Sequence, residues 1–124
     1  MYGAILGDMI GAPYEFDRGN KTKDFPLFSR RSEFTDDSVM TIAVAEALMN
    51  TLGRSDEEIK NALVASMQKW GHMYPDAGYG GRFYHWLRAR HPEPYGSYET
   101  APLCGYLPQA GCLRHWKKPG AWPN

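Results

Sequence analysis

The sequence predicts an all-α domain, and three observations carry that expectation. Apolar residues recur at helical spacing in four separate segments. Those segments open and close on residues that start and stop helices. No stretch shows the sustained alternation of a half-buried strand, so no sheet competes with the helical reading.

The first helix is expected over residues 2–12, where Ile5, Leu6, Met9 and Ile10 follow one face. Gly3, Gly7 and Gly11 form a smooth stripe at intervals of four. Glycine costs up to about 1 kcal/mol per position in an isolated helix. Close packing against a neighbour can return that loss, so this helix is expected to be central. Asp8 is its one charged residue. Two ordinary readings of Asp8 stay open: a hydrogen-bonded core carboxylate, or one facing water.

Pro13 ends the first helix and leads to Tyr14, Glu15 and Phe16. Residues 17–34 then form a polar connection broken by Gly19, Asn20 and Pro26. It is long for a segment without regular structure, and such loops are often functional. Its Arg18, Lys21, Lys23, Arg30 and Arg31 are interleaved with Phe25 and Phe28. A solvated loop fits this pattern better than a phosphate-facing one.

The second helix starts at Thr35-Asp36-Asp37-Ser38 and runs through Val39, Met40, Ile42, Ala43, Ala45, Ala47 and Leu48. It is alanine-rich and apolar on more than one face, which predicts burial. The third opens on Ser55 and Glu58, the spacing of a capping box. Ile59, Leu63, Met67 and Trp70 give it a continuous stripe, and Gly71 is the expected C-cap. The fourth is expected over 82–90, with Phe83, Trp86 and Leu87 on one side and Pro92 beyond its end.

Composition narrows the function classes. A chain of 124 residues suits one small domain. Lys+Arg and Asp+Glu are both 14, so the positive excess of a generic nucleic-acid or acidic-membrane binder is missing. No apolar run approaches the roughly 18–20 residues that span a bilayer. No basic segment precedes an apolar one at the N-terminus, so a cytoplasmic location is expected. Cys104 and Cys112 lack the partners of a zinc set.

The chemistry concentrates at the start of the second helix. Thr35, Asp36 and Asp37 place a hydroxyl and two carboxylates in three consecutive residues. Hard cations such as Mg²⁺ and Ca²⁺ take oxygen ligands of these kinds. The same residues also suit an N-cap, where a carboxylate complements the helix dipole by about 0.3–1 kcal/mol. Both readings stand on the residues alone.

The order of the pieces adds a second clue. The stretches GAILGDMIGAPYEF (Gly3 to Phe16), FTDDSVMTIAVAEAL (Phe34 to Leu48), AGYGGRF (Ala77 to Phe83) and Gly96-Ser97-Tyr98 follow one another in sequence. In combination they resemble the ADP-ribosylglycohydrolase family, which includes the dinitrogenase reductase-activating glycohydrolases. The resemblance implies the N-terminal part of that family's orthogonal all-α fold and a pair of Mg²⁺ or Mn²⁺ ions. It implies hydrolysis of the glycosidic bond of an ADP-ribosylated protein or a small ADP-ribose conjugate, with no nucleic-acid or membrane partner. By resemblance, Thr35, Asp36 and Asp37 are metal ligands, and Glu15, Asp36 and Asp37 are the catalytic set. Gly96, Ser97 and Tyr98 match the start of a substrate-binding loop. Tyr79 to Gly81 match another wall of the pocket.

The chain also departs from the family pattern. Relatives carry a later Asp-x-Asp-Thr cluster that completes the metal pair, whereas Asp76 is the last aspartate here. Relatives continue after Tyr98 with Gly-Asn-Gly-Ser-Ala-Met-Arg-Val-Ser-Pro. A coding sequence for that continuation, GGAAACGGCTCCGCTATGCGGGTATCTCCC, loses its first base to read Glu-Thr-Ala-Pro-Leu-Cys-Gly-Tyr-Leu and then proline. This is the sequence of Glu99 to Pro108. Residues 1–98 are therefore expected to be a partial domain, and residues 99–124 an out-of-frame, poorly ordered ending. Weak or absent turnover is the corresponding expectation. Two other readings remain open: a non-catalytic helical module for ADP-ribose-like ligands, and a structural helical domain in which Thr-Asp-Asp is only a cap.

Overall fold

The computed structural model describes residues 1–16, 22–93 and 95. Within them the architecture is all-helical: α1 (Tyr2–Gly11), a 3₁₀ turn (Ala12–Tyr14), α2 (Asp36–Asn50), α3 (Asp56–Met73) and α4 (Gly81–Arg88). The expected Gly96, Ser97 and Tyr98 loop, Cys104 and Cys112, and the proposed out-of-frame ending lie outside the described residues. No helix among the described residues is long and apolar enough to cross a membrane.

Helices α2 and α3 form the principal pair, with α4 closing one side. Their core is Val39, Met40 and Ala43 from α2, Met67 from α3, and Trp86 and Leu87 from α4. Burying side chains of this size contributes about 1.5–3 kcal/mol each. The turn between α2 and α3 reverses through Gly53 at φ 76°, which a side chain would strain. The capping box at the head of α3 is complete. The Ser55 amide donates to Glu58 Oε2 at 3.0 Å and the Glu58 amide donates to Ser55 Oγ at 3.4 Å.

Three expectations about packing need correction. Gly71 is not a C-cap, since α3 continues to Met73 and is capped by Tyr74. Gly71 is instead buried where α3 meets α4, and a Cβ there would stand 2.7 Å from Leu87 Cδ1. A missing side chain allows both a left-handed backbone and a close approach, and here the second use prevails. Helix α2 is buried along one face, while Leu48 and Met49 remain exposed.

Helix α1 is not central among the described residues. It has no buried residue, and nothing lies within 4 Å of a Cβ built on Gly3, Gly7 or Gly11. A smooth stripe permits close packing without supplying a neighbour. The hydrogen bonds of α1 to α2 run through Asp8, while Ile5, Met9 and Ile10 are half-buried. The described part of the following loop, residues 22–34, is largely exposed, as a solvated loop should be. It folds back on the 3₁₀ turn, where Tyr14 Oη donates to the Pro26 carbonyl at 3.1 Å and Arg31 Nη2 to the Pro13 carbonyl at 2.9 Å.

Candidate metal and catalytic site

Three segments meet at the head of α2. Thr35 is the N-cap, in extended conformation, and its Oγ1 accepts the Asp37 amide at 3.3 Å. From α1, Asp8 Oδ1 accepts the Thr35 hydroxyl at 2.6 Å, and Oδ2 accepts the Thr35 amide at 2.7 Å. Asp8 Oδ2 also accepts the Ser38 amide at 3.2 Å and the Ser38 hydroxyl. One carboxylate on α1 thus satisfies donors that the first turn of α2 leaves open. From the α3–α4 connection, the Ala77 carbonyl accepts the Asp36 amide at 2.8 Å. Gly78 turns at φ 98°, and a Cβ there would stand 3.9 Å from Asp36 Oδ1.

The result is a crowded negative end. Burial first, and then the charge of Asp37, push the Asp36 carboxyl up to about 6. Its own backbone amide partly offsets this, while Asp8 and Glu15 push further in the same direction. Burial also raises Asp37, with Asp8 as the second cause. A helix N-terminus ordinarily favours carboxylate charge. Here desolvation and mutual repulsion outweigh that field.

The sequence-predicted residues are partly gathered. Thr35, Asp36 and Asp37 share the α2 head. Glu15 is exposed at the end of the 3₁₀ turn, and its charge still acts on Asp36. Tyr79 lies in the segment tied to Asp36, Gly80 caps α4 and Gly81 opens it. Among the described residues, no three His, Cys, Asp or Glu side chains form a group that could hold a metal ion. Sequence reasoning noted Asp8 without finding its partners. The available signal was a lone charge on an otherwise uncharged helix, which must be hydrogen-bonded or solvated. The capping and ligand readings of Thr35 are compatible. Its hydroxyl donates to Asp8 and accepts one amide, which leaves one lone pair.

The family model described as ADP-ribosylglycohydrolase matches residues 1–118. The chain belongs to the ADP-ribosylglycohydrolase family. That span includes all the described helices and much of the segment beyond Tyr98. The uncharacterized protein YegU of Escherichia coli (strain K12) is 32% identical over 75 residues, covering 48% of this chain and 22% of its own length. The chain therefore spans about a fifth of the length of the curated relative it matches. No solved structure gives a significant match. Placed in the ADP-ribosylglycohydrolase family, the α2 head is where the resemblance and the strongest electrostatic strain among the described residues coincide.

Proposed function

We propose that the head of α2 is the cation- and ribose-binding end of an ADP-ribosyl hydrolase site. The observation that carries this reading is the adjacent pair Asp36 and Asp37 at the head of α2, both desolvated, with Asp36 pushed further upward by Asp37 and Asp37 by Asp8, in a chain of the ADP-ribosylglycohydrolase family. The donor chemistry fits a hard divalent cation: two carboxylates and a hydroxyl, all oxygen. Asp36 and Asp37, with Thr35, would hold Mg²⁺ or Mn²⁺. When bound, the ion supplies Lewis-acid polarisation and orients a water. Asp8 turns the Thr35 hydroxyl proton toward α1, so its free lone pair is available to a ligand. Glu15 is the group free to move a proton, either from an attacking water or to the leaving acceptor. The substrate is an ADP-ribosylated protein or a small ADP-ribose conjugate, with Gly96, Ser97 and Tyr98 as its binding loop.

The oxygen donors that this sequence supplies to the site are Thr35, Asp36 and Asp37. Weak cation binding and slow turnover are the expected properties of the isolated chain. Titration with Mn²⁺ tests the site: Asp36→Ala and Asp37→Ala should each weaken binding at least about 10-fold, the scale of a lost charge-assisted contact. Unchanged affinity in both variants would leave the pair as a helix cap and defeat the proposal. The small number of these donors also favours a second reading, a module that holds ADP-ribose without cleaving it. Calorimetry with ADP-ribose and Mg²⁺, beside an assay for released ADP-ribose, separates the two, because tight binding without release belongs to the module.

A further inference from the structure

Three aromatic side chains form a row beside the α2 head. Phe34 immediately precedes the N-cap Thr35. Tyr74 caps the C-terminus of α3, three residues before Ala77, whose carbonyl accepts the Asp36 amide. Two separate segments thus bring these rings to one edge of the site. The Phe34 and Tyr74 rings meet edge-on, with centroids 5.6 Å apart and planes at 89°. Tyr74 lies parallel to Trp70, with centroids 6.0 Å apart. The row leads away from Thr35 in two successive steps.

Its far end is fixed and its near end is open. Trp70 Nε1 donates to Glu46 Oε2 at 2.6 Å, and Lys69 lies 5.6 Å over the Trp70 ring. Phe34 and Tyr74 remain 47% and 38% exposed. Rings already held in place lose little freedom when a flat ligand stacks on them. An exposed apolar patch fits many occupants, but the position of this one selects among them. It borders an end built of carboxylates and a hydroxyl. A ligand that spans both needs a hydroxylated, polar part joined to a flat, apolar one, and a nucleotide has that construction. A neutral base also adds no charge to the acids nearby.

We propose that Phe34 and Tyr74 form a base-stacking subsite, which takes the adenine ring of the ADP-ribosyl group while the ribose of the scissile bond lies at the α2 head. The identity of the base rests on the ADP-ribosyl reading above. The stacking surface itself needs no cation.

Adenosine is the probe, since it carries the base without the diphosphate or the second ribose. With the full chain in EDTA, its base-proton NMR resonances should move upfield in the ring currents of Phe34 and Tyr74. Tyr74→Phe keeps the ring and should preserve the shift. Tyr74→Leu and Phe34→Leu keep apolar bulk without the ring, and each should weaken adenosine about 10-fold, the scale of one lost stacking contact. Thermal unfolding of each variant checks that it is folded. No shift with the native chain, or equal affinity in the native chain and both leucine variants, overturns the proposal. Calorimetry in Mn²⁺ then compares two ligands. Tyr74→Leu should weaken ADP-ribose about 10-fold and leave ribose 5-phosphate unchanged. Equal losses for both ligands mean a distorted α2 head and also overturn it. A native chain that stacks adenosine but binds no Mn²⁺ removes the cation reading and upholds the subsite.

Discussion

Of the three carboxylates on helix α2, Glu46 in its second half and Asp36 at its head are treated by the fold in opposite ways. Glu46 receives hydrogen bonds from Lys69, Ser66 and Trp70, all on α3. They hold its carboxyl down at about 2, with Lys69 the largest cause. Asp36 feels the charges of Asp37, Asp8 and Glu15 and is pushed up to about 6, with burial the largest cause. A carboxylate surrounded by donors is finished by the fold and works as an interhelical clasp. A carboxylate surrounded by other acids lacks compensating charge, which under the proposed function a cation would supply. The contrast separates satisfied acids from strained ones on a single helix.

The largest effect should come from removing the acid at the head that accepts four hydrogen bonds from α2's first turn. Asp8→Ala strips the acceptor from Thr35 and Ser38 and should cost about 2 kcal/mol of stability by urea unfolding. If the loss is negligible, α1 is not fastened through Asp8. Ser66→Ala probes the clasp without touching Glu46. Its hydroxyl is buried, 2.8 Å from both the Ala43 carbonyl and Glu46 Oε2, so about 1 kcal/mol should be lost.

The pH profiles should slope in opposite directions. Glu46 has a folded value of about 2 against 4.5 for the free group, so its contribution is present above 4.5 and fades as pH falls toward 2. Asp36 has a folded value of about 6 against 3.8, so ionising it removes stability as pH rises from 3.8 through 6. Thermal unfolding against pH should show Glu46→Gln flattening the acid limb and Asp36→Asn flattening the limb from 3.8 to 6. The smallest shift should be the metal-free gain in stability of Asp36→Asn at pH 7, which vanishes near pH 4. A loss of stability at pH 7 would mean that Asp36 already has its partners.

Local signals were legible because their physics is local. The Ser55–Glu58 box needs only residues three apart, and both halves form as the spacing implies. The apolar stripe of α3 likewise put Leu63 and Met67 in the core. Thr35 was readable as a cap for the same reason. Asp8 was not, because its four donors come from residues 27 and 30 positions away. Gly71 was misread because the glycine that ends a helix and the glycine that lets another helix approach look alike in one dimension. Glu46 gave no signal at all, since its donors lie on a different helix.

By itself the sequence determined the helical class, the helix starts and the concentration of acids at the head of α2, since periodicity, capping and composition act over a few residues. Only the tertiary structure decided which acids are satisfied and which are strained. That outcome depends on the donors and charges that distant segments bring within hydrogen-bond and Coulomb range, and on how much water packing removes around them.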